Sequence, residues 1–197
     1  MDPQLRALLD DLYADGVRYD ADRSDRLLRR RNLEPDAAAF LWLFVQATAT
    51  RTMVEIGTSN GYSTIWFADA LRRTGGRLVS VDTDPVTQRE AAENLRRAGV
   101  ADVVELRAAD GGGYLSTVPA GSLDVLFLDA ERPEYPGWWD AVRRALRPGG
   151  TLIVDNALSH PDEVAPFRRL VEAEPGYACT LVDVGKGEFL AVTAGQV

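Results

Sequence analysis

The stretch MVEIGTSNGYS, residues 53–63, constrains the fold more than any other part of the chain. Its first residues have the length and β-branched content of a buried strand. Gly57 and Gly61 follow, and because neither carries a Cβ, the backbone can turn sharply there and approach a ligand closely. A helix begun by Ser63 or Thr64 then points its free N–H groups toward that ligand. This arrangement predicts a nucleotide or cofactor site in an open α/β sheet.

Three known turn motifs compete for these glycines. The dinucleotide fingerprint is excluded because Ser59 stands where the motif has a glycine, and a Walker A loop because no lysine follows Gly61. The nucleophile elbow G-x-S-x-G does match residues 57–61, with Asp155 and His160 downstream in hydrolase order. An elbow follows several strands, however, whereas about fifty mostly helical residues precede this one. We therefore disfavour a serine hydrolase.

From residue 51 onward, strand and helix patterns alternate along the chain. The predicted strands are 51–56, 77–81, 103–107, 122–128, 151–154, 178–184 and 188–193. The predicted helices between them are 63–73, 85–98, 112–117, 135–146 and 161–173. This order predicts an α/β fold with a doubly wound, Rossmann-like, mostly parallel seven-stranded sheet. The tight turn at 185–187 predicts that the last two strands form an antiparallel hairpin.

The residues before the first strand carry helical spacing in three segments, 3–14, 20–31 and 36–47. We predict one domain over 1–197, with residues 1–48 as a helical cap and 51–197 as a cofactor-binding α/β core. Four arginines lie between Arg26 and Arg31. They are interpreted as a solvated helix face, with contact to an acidic substrate or a dimer partner as the alternative.

Composition excludes several classes of function. The net charge of −8 argues against a broad surface for nucleic acid or anionic membranes. The single cysteine, Cys179, cannot form an internal disulfide, which fits a reducing compartment. The first residues lack a signal-peptide pattern, and the longest apolar run, 37–45, is too short to cross a bilayer. We expect a soluble, cytoplasmic protein.

Acidic side chains stand at or beside the ends of the first five predicted strands. They are Glu55, Asp82, Asp110, Asp129 and the pair Asp155-Asn156. Each alone could be a helix cap, but a carboxylate at every strand end favours a functional set, because ligands of open α/β sheets bind at this edge. Asp82 can accept both hydroxyls of a ribose. Asp84 is interpreted instead as the N-cap before Pro85.

Asp129, Asp155 and Asn156 form the sharpest group in this set. Two carboxylates and one amide from adjacent strand ends are hard oxygen donors suited to Mg²⁺, Ca²⁺ or Mn²⁺. Three protein ligands leave room for two oxygens of a substrate, and a catechol or another vicinal diol would fit by chelation. The alternative is that all three are structural caps.

Three motifs resemble those of a known family. The pattern E-x-G-x-x-x-G-Y-S at 55–63 resembles motif I of class I S-adenosylmethionine-dependent methyltransferases. Its Gly-Tyr-Ser ending, the segment FLDAERPEY at 127–135 and the Asp-Asn pair at 155–156 resemble the catechol and caffeoyl-CoA O-methyltransferases. The resemblance extends from about Glu34 to the C-terminus.

The resemblance implies methyl transfer from S-adenosylmethionine to a hydroxyl of a small aromatic compound, with a divalent cation on Asp129, Asp155 and Asn156. It implies that Asp110 lies near the adenine and that Tyr62 and Ser63 lie along the methionine portion. A homodimer is common among such relatives. The residues assigned to the cofactor are Glu55, Gly57, Thr58, Ser59, Gly61, Tyr62, Ser63, Asp82, Thr83, Asp110, Gly111 and Asp129.

The chain departs from the family at one position. Arg132 stands where the family carries a lysine that accepts a proton, and arginine stays protonated at any working pH. Arg132 could still pair with an acidic substrate or stabilise a phenolate. The single histidine, His160, is the candidate proton acceptor, because its ordinary pKa of about 6.5 suits transfer near neutrality. The alternative for His160 is a helix-start residue.

Two further functions stay open from the sequence. One is methylation of a modified tRNA nucleoside, which the acidic net charge disfavours and a basic surface at 26–31 would favour. The other is a protein that binds S-adenosylmethionine without catalysis, which the missing lysine suggests.

Overall fold

The computed structural model describes residues 1–25 and 28–194, and its centre is a seven-stranded sheet. The strand order is β3-β2-β1-β4-β5-β7-β6, and β7 alone runs antiparallel, between β5 and β6. The strands are β1 Thr52–Ile56, β2 Arg77–Asp82, β3 Val104–Ala108, β4 Leu123–Leu128, β5 Leu146–Val154, β6 Tyr177–Val182 and β7 Glu188–Thr193. The predicted fold class and the antiparallel hairpin are confirmed.

Helices cover both faces of this sheet. They are α1 Pro3–Ala21, α2 Pro35–Ala47, α3 Tyr62–Thr74, α4 Pro85–Arg97, α5 Gly111–Thr117, α6 Tyr135–Ala145 and α7 Pro161–Ala173. Alternate strand residues serve the two faces, because successive side chains of a strand point to opposite sides. Phe127 of β4 thus packs with α1–α4, whereas its neighbours Leu126 and Leu128 pack with α5–α7. Among the described residues, no helix has the length and apolar content of a membrane span.

The predicted second helix, 20–31, is wrong for the residues that the structure describes. Helix α1 continues instead to Ala21, and the chain then leaves the helical path. The two carboxylate oxygens of Asp20 accept hydrogen bonds from the backbone N–H groups of Arg30 (2.7 Å) and Arg31 (2.9 Å). These bonds hold 29–34 as an irregular segment beside the end of α1. Arg26 and Leu27 lie outside the described residues.

Several other predicted boundaries differ from the structure by one to five residues, and the cause of two differences is evident. Helix α3 begins at Tyr62 with Gly61 as its N-cap, not at Ser63 or Thr64, because the hydroxyls of those two residues are engaged elsewhere. Strand β5 begins at Leu146, five residues before the predicted start at 151, because Leu146 already pairs with Leu123 of β4.

Candidate active site

A cavity of about 410 Å³ opens at the carboxyl ends of β1 to β4. It lies where the strand order reverses, since β1 is followed on one side by β2 and on the other by β4. Open α/β sheets bind ligands at such a switch point. Of the residues predicted to bind a cofactor, those lining it are Gly57, Thr58, Ser59, Tyr62, Ser63, Asp82, Thr83, Asp110, Gly111 and Asp129.

Glycines form part of the cavity wall because nothing larger fits. Gly57 has φ +108°, and a Cβ there would lie 2.1 Å from the carbonyl oxygen of Asp129. A Cβ on Gly111 would lie 2.5 Å from Cγ2 of Ile56. These contacts are far inside van der Waals distance, so the backbone itself faces the cavity at both positions.

Glu55 lies fully buried beneath the glycine turn and does not line the cavity. Its carboxylate accepts hydrogen bonds from the hydroxyls of Ser63 (2.5 Å), Thr64 (2.6 Å) and Ser80 (2.6 Å). Burial raises the pKa of Glu55 to about 7, against the opposing effect of these three hydroxyl donors. The carboxylate thereby ties the first turn of α3 to β1 and β2.

Three aspartates that line the cavity also accept hydrogen bonds from backbone N–H groups. Asp82 accepts hydrogen bonds from the backbone N–H groups of Ser59 (2.9 Å) and Asp84 (3.1 Å). Asp84 accepts from the N–H of Val86 at 2.8 Å and is the N-cap of α4. Asp110 accepts from the N–H of Gly113 at 2.6 Å and caps α5. Their contacts with a cofactor stay predictions.

The irregular segment 29–33 borders the same cavity. The Ser59 hydroxyl donates a hydrogen bond to the carbonyl oxygen of Arg30 at 2.8 Å. Arg30 forms an ion pair with Glu90, and Arg31 forms one with Glu131 at 3.1 Å. The segment is thus fastened to the glycine turn and to the loop after β4.

Asp129, Asp155 and Asn156 converge beyond the ends of β4 and β5. The Nδ2 group of Asn156 donates to Asp155 Oδ2 at 2.6 Å and to Asp129 Oδ1 at 3.2 Å. Burial and the neighbouring Asp155 raise the pKa of Asp129 well above its usual range. The pKa of Asp155 is also raised, chiefly by burial. The structure therefore brings the predicted metal ligands into one acidic cluster.

Two residues of this region were not predicted from the sequence, Glu188 and Lys186. Glu188 begins β7 and is buried, and neither of its carboxylate oxygens accepts a hydrogen bond from an N–H or hydroxyl group of the described residues. Burial, with Asp155 nearby, raises the pKa of Glu188 well above its usual range. Lys186 lies on the preceding turn, with Nζ 2.7 Å from Glu34 Oε1. The sequence signal that could have identified Glu188 is an acidic residue at the start of an otherwise apolar strand.

The two residues predicted to act in catalysis lie at the edge of this region. Arg132 is buried, and its Nε and Nη2 atoms each lie 2.9 Å from Glu163 Oε2 on α7. His160 is the N-cap of α7, and its Nδ1 lies 2.9 Å from the Ser159 hydroxyl. Neither is among the residues that line the cavity. Their catalytic roles stay predictions.

Comparison with known proteins decides the family. Residues 54–157, more than half of the chain, match the family model of a methyltransferase domain. The chain belongs to the class I S-adenosylmethionine-dependent methyltransferases. A catechol O-methyltransferase of Niastella koreensis is 35% identical over 133 residues, or 64% of this chain and 58% of that protein. One of Mycobacterium tuberculosis is 37% identical over 121 residues, 60% and 54% respectively. The matches thus span less than two thirds of these relatives.

Solved structures resemble this methyltransferase over nearly its whole length. An O-methyltransferase of Bacillus cereus in complex with SAH has a TM-score of 0.79 and 26% identity, covering 95% of this chain and 90% of that one. An O-methyltransferase of Streptomyces achromogenes involved in tomaymycin synthesis, in complex with SAM, has a TM-score of 0.79 and 28% identity, covering 99% and 91%. The likeness confirms the predicted resemblance and excludes the hydrolase interpretation.

The donor set of this methyltransferase fits a divalent cation. Within the described ranges, no three histidine, cysteine, aspartate or glutamate side chains are placed to hold a metal ion, so the site depends on the two aspartates and Asn156. The Nδ2 group of Asn156 donates to a carboxylate oxygen of each aspartate, so the three side chains are in direct contact. A half-turn of the amide would direct Oδ1 toward the aspartates, and the three side chains would then offer only oxygen atoms, the donors that Mg²⁺ and Ca²⁺ prefer.

Proposed function

We propose that this methyltransferase transfers the methyl group of S-adenosylmethionine to a hydroxyl of a small, catechol-like aromatic compound. The observation that supports the acceptor class is the acidic cluster of Asp129, Asp155 and Asn156, since Asp129 also lines the cavity. Three protein ligands leave coordination positions for the two adjacent oxygens of a catechol. The names of the two catechol O-methyltransferases among the relatives point the same way.

Each part of the site has a distinct task in this proposal. The backbone at Gly57 and Gly111 leaves space for the cofactor. Asp82 accepts hydrogen bonds from the ribose hydroxyls of the cofactor. Glu55 fixes the α3 turn along which the methionine portion lies. The methyl group passes directly from sulfur to the acceptor oxygen, so alignment replaces a nucleophilic side chain.

A divalent cation would be held by Asp129, Asp155 and Asn156. When bound, such a cation lowers the pKa of the acceptor hydroxyl and stabilises the resulting oxyanion. His160 as proton acceptor belongs to this proposal as a prediction. A role for Arg132 in stabilising the phenolate stays a prediction as well, and it would require the guanidinium to leave Glu163. The protein would act in the cytoplasm, and a homodimer is the expected assembly.

Methylation of a tRNA nucleoside is the weaker alternative. The arginines of 29–31 do not form an open basic row, because Arg30 and Arg31 are paired with Glu90 and Glu131. The net charge of −8 opposes a polyanion as well. Tight, salt-sensitive binding of tRNA would support this alternative against ours.

Calorimetric titration tests the proposal. S-adenosylmethionine and catechol are titrated with and without Mg²⁺ into the wild type, Asp155→Ala and the control Asp140→Ala, whose side chain is 87% exposed on α6. We expect cofactor binding in all three proteins, and Mg²⁺-dependent catechol binding in all but Asp155→Ala. Cofactor binding unaffected by metal, with no catechol binding, would indicate a binding protein without this activity. Absence of cofactor binding would contradict the central proposal.

A further inference from the structure

Three consecutive arginines, Arg29, Arg30 and Arg31, belong to the wall of the cavity. Asp20, near the end of α1, accepts hydrogen bonds from the backbone N–H groups of Arg30 and Arg31. The Ser59 hydroxyl donates to the carbonyl oxygen of Arg30 from the side of the glycine turn. These bonds hold the backbone of the segment between α1 and the glycine turn, so the three guanidinium groups extend from a fixed base.

Arg30 serves the attachment of this segment. Its guanidinium forms an ion pair with Glu90 on α4, and its Cζ atom lies 4.2 Å from the centre of the Tyr19 ring. Only 20% of its side chain is exposed. Moving Arg30 toward a ligand would break both contacts, so we assign it a structural role and look to its two neighbours for recognition.

Arg31 places the segment beside the acceptor end of the cavity, by which we mean the part next to Asp129. Its Nη1 atom lies 3.1 Å from Glu131 Oε1, and both residues line the cavity. Glu131 follows Asp129 by two residues, so their Cα atoms are at most roughly 7 Å apart. The charge of Arg31 is therefore close to the proposed acceptor, but Glu131 balances part of it.

Arg29 carries the positive charge of this wall that no carboxylate balances. Its Nε group donates a hydrogen bond to the backbone carbonyl oxygen of Arg23 at 2.8 Å, and this acceptor is uncharged. Within residues 1–25 and 28–194, no carboxylate forms an ion pair with Arg29. The bond to Arg23 engages neither terminal nitrogen of the guanidinium, and these two nitrogens form a fork that matches the two oxygens of a carboxylate.

Most carboxylates of the cavity are engaged away from this wall. Asp82, Asp84 and Asp110 accept hydrogen bonds from backbone N–H groups at the cofactor side. Asp129 is assigned to the divalent cation of the proposed function. Glu134 is an exposed residue before α6, and within the described residues it forms no ion pair with the arginines of the wall. An anion beside Arg29 would therefore meet a local positive charge, although the chain as a whole is acidic.

We propose that the acceptor is a catechol with a carboxylate on its ring, and that the guanidinium of Arg29 binds this carboxylate while the two hydroxyls lie toward Asp129. The inference rests on the proposed function and narrows its substrate class. Arg31 contributes a second charge, which Glu131 weakens. One unbalanced guanidinium suits a small planar anion rather than a polyanion, because its fork matches a single carboxylate.

Comparison of an acid with its neutral amide tests this proposal. We titrate 3,4-dihydroxybenzoate and 3,4-dihydroxybenzamide into the complex with S-adenosylhomocysteine and Mg²⁺, so that no methyl transfer occurs and only binding is compared. For the wild type, we expect the benzoate to bind about tenfold more tightly than the amide, which is the effect of one charge-assisted contact at a partly exposed site.

Variants of the wall assign that preference to particular residues. Arg29→Gln removes the charge and the fork and should abolish the preference, whereas Arg29→Lys keeps the charge and should retain part of it. Glu131→Gln removes the anion that competes for Arg31 and should increase the preference. The control Arg96→Gln removes the same charge from α4, where the side chain is 65% exposed and outside the cavity, and it should change nothing.

The outcomes separate this inference from the proposed function. Equal affinity of the wild type for benzoate and amide, or a preference that persists in Arg29→Gln, would overturn the inference and leave the proposed function standing. A fall in affinity for S-adenosylhomocysteine in Arg29→Gln would overturn it too, because the arginine would then serve the carboxylate of the cofactor. Failure of the wild type to bind S-adenosylhomocysteine, or to bind either catechol, would overturn both.

Discussion

The two ends of the cavity satisfy their buried polar groups in different ways. At the cofactor end, the carboxylate of Glu55 is surrounded by the hydroxyls of Ser63, Thr64 and Ser80, and its pKa rises only to about 7. At the acceptor end, carboxylates adjoin one another, and Glu188 accepts no N–H or hydroxyl bond among the described residues. The protein alone thus supplies the hydrogen-bond donors of the first region. In the second region, the cation of the proposed function would supply the counter-charge.

The largest effect on cofactor binding is expected at Gly57, where the structure has no space for a Cβ atom. Gly57→Ala should lower affinity for S-adenosylhomocysteine at least a hundredfold or prevent folding, because its Cβ would lie 2.1 Å from the Asp129 carbonyl oxygen. Calorimetry and thermal unfolding measure the two outcomes. Gly121→Ala is the matched control, since Gly121 also has a positive φ but its Cβ would meet no atom within 4 Å. Equal affinity and equal Tm in the two variants would contradict the steric restriction at Gly57.

A carboxylate-to-amide change in Glu55 should produce an intermediate effect. The folded pKa of about 7 exceeds the ordinary value of 4.5, so this group favours the folded state fully below pH 4.5, and the benefit is lost as the pH rises through 7. The loss amounts to about 3 kcal/mol.

Thermal unfolding between pH 4 and pH 9 measures that loss. Glu55→Gln should flatten the fall in Tm that the wild type shows, with roughly 2–4 °C for each kcal/mol. Glu172→Gln, a change in a partly exposed carboxylate on α7, is the control. Parallel pH profiles for wild type and Glu55→Gln would show that the hydroxyl donors fully stabilise the ionised carboxylate.

The smallest effect is expected for Arg132→Lys, which restores the lysine of the related family. Because Glu163 holds the side chain at this position toward α7, we expect the rate of catechol methylation to change by less than about twofold. The free energy of unfolding should fall by about 1 kcal/mol, since an ammonium lacks the planar fork of a guanidinium. A tenfold rise in rate would instead indicate that a lysine at position 132 can accept the proton.

The same contrast explains what could be predicted from the sequence. The strand, glycine turn and helix of the cofactor end are neighbours in the chain, so the pattern at 55–63 was enough to predict them. Asp129 and Asp155 were placed together because parallel strand ends meet at one edge. Glu188 escaped prediction because it reaches Asp155 only through the pairing of β5 with β7, in which Val154 lies opposite Phe189. The predicted start of α3 was wrong because the hydroxyls of Ser63 and Thr64 donate to Glu55 and do not cap the helix.

The position of β7 also determines the order in which the two ends can form during synthesis. β7 is the last strand of the described chain to be made, yet it lies inside the sheet, between β5 and β6. Until Glu188–Thr193 has left the ribosome, β5 keeps an open edge and Glu188 is not yet present beside Asp155. β1, the strand of the cofactor motif, pairs with β2 and β4, and both of these strands are made before β7. In a nascent chain, the cofactor end of the cavity could therefore form before the acceptor end is complete.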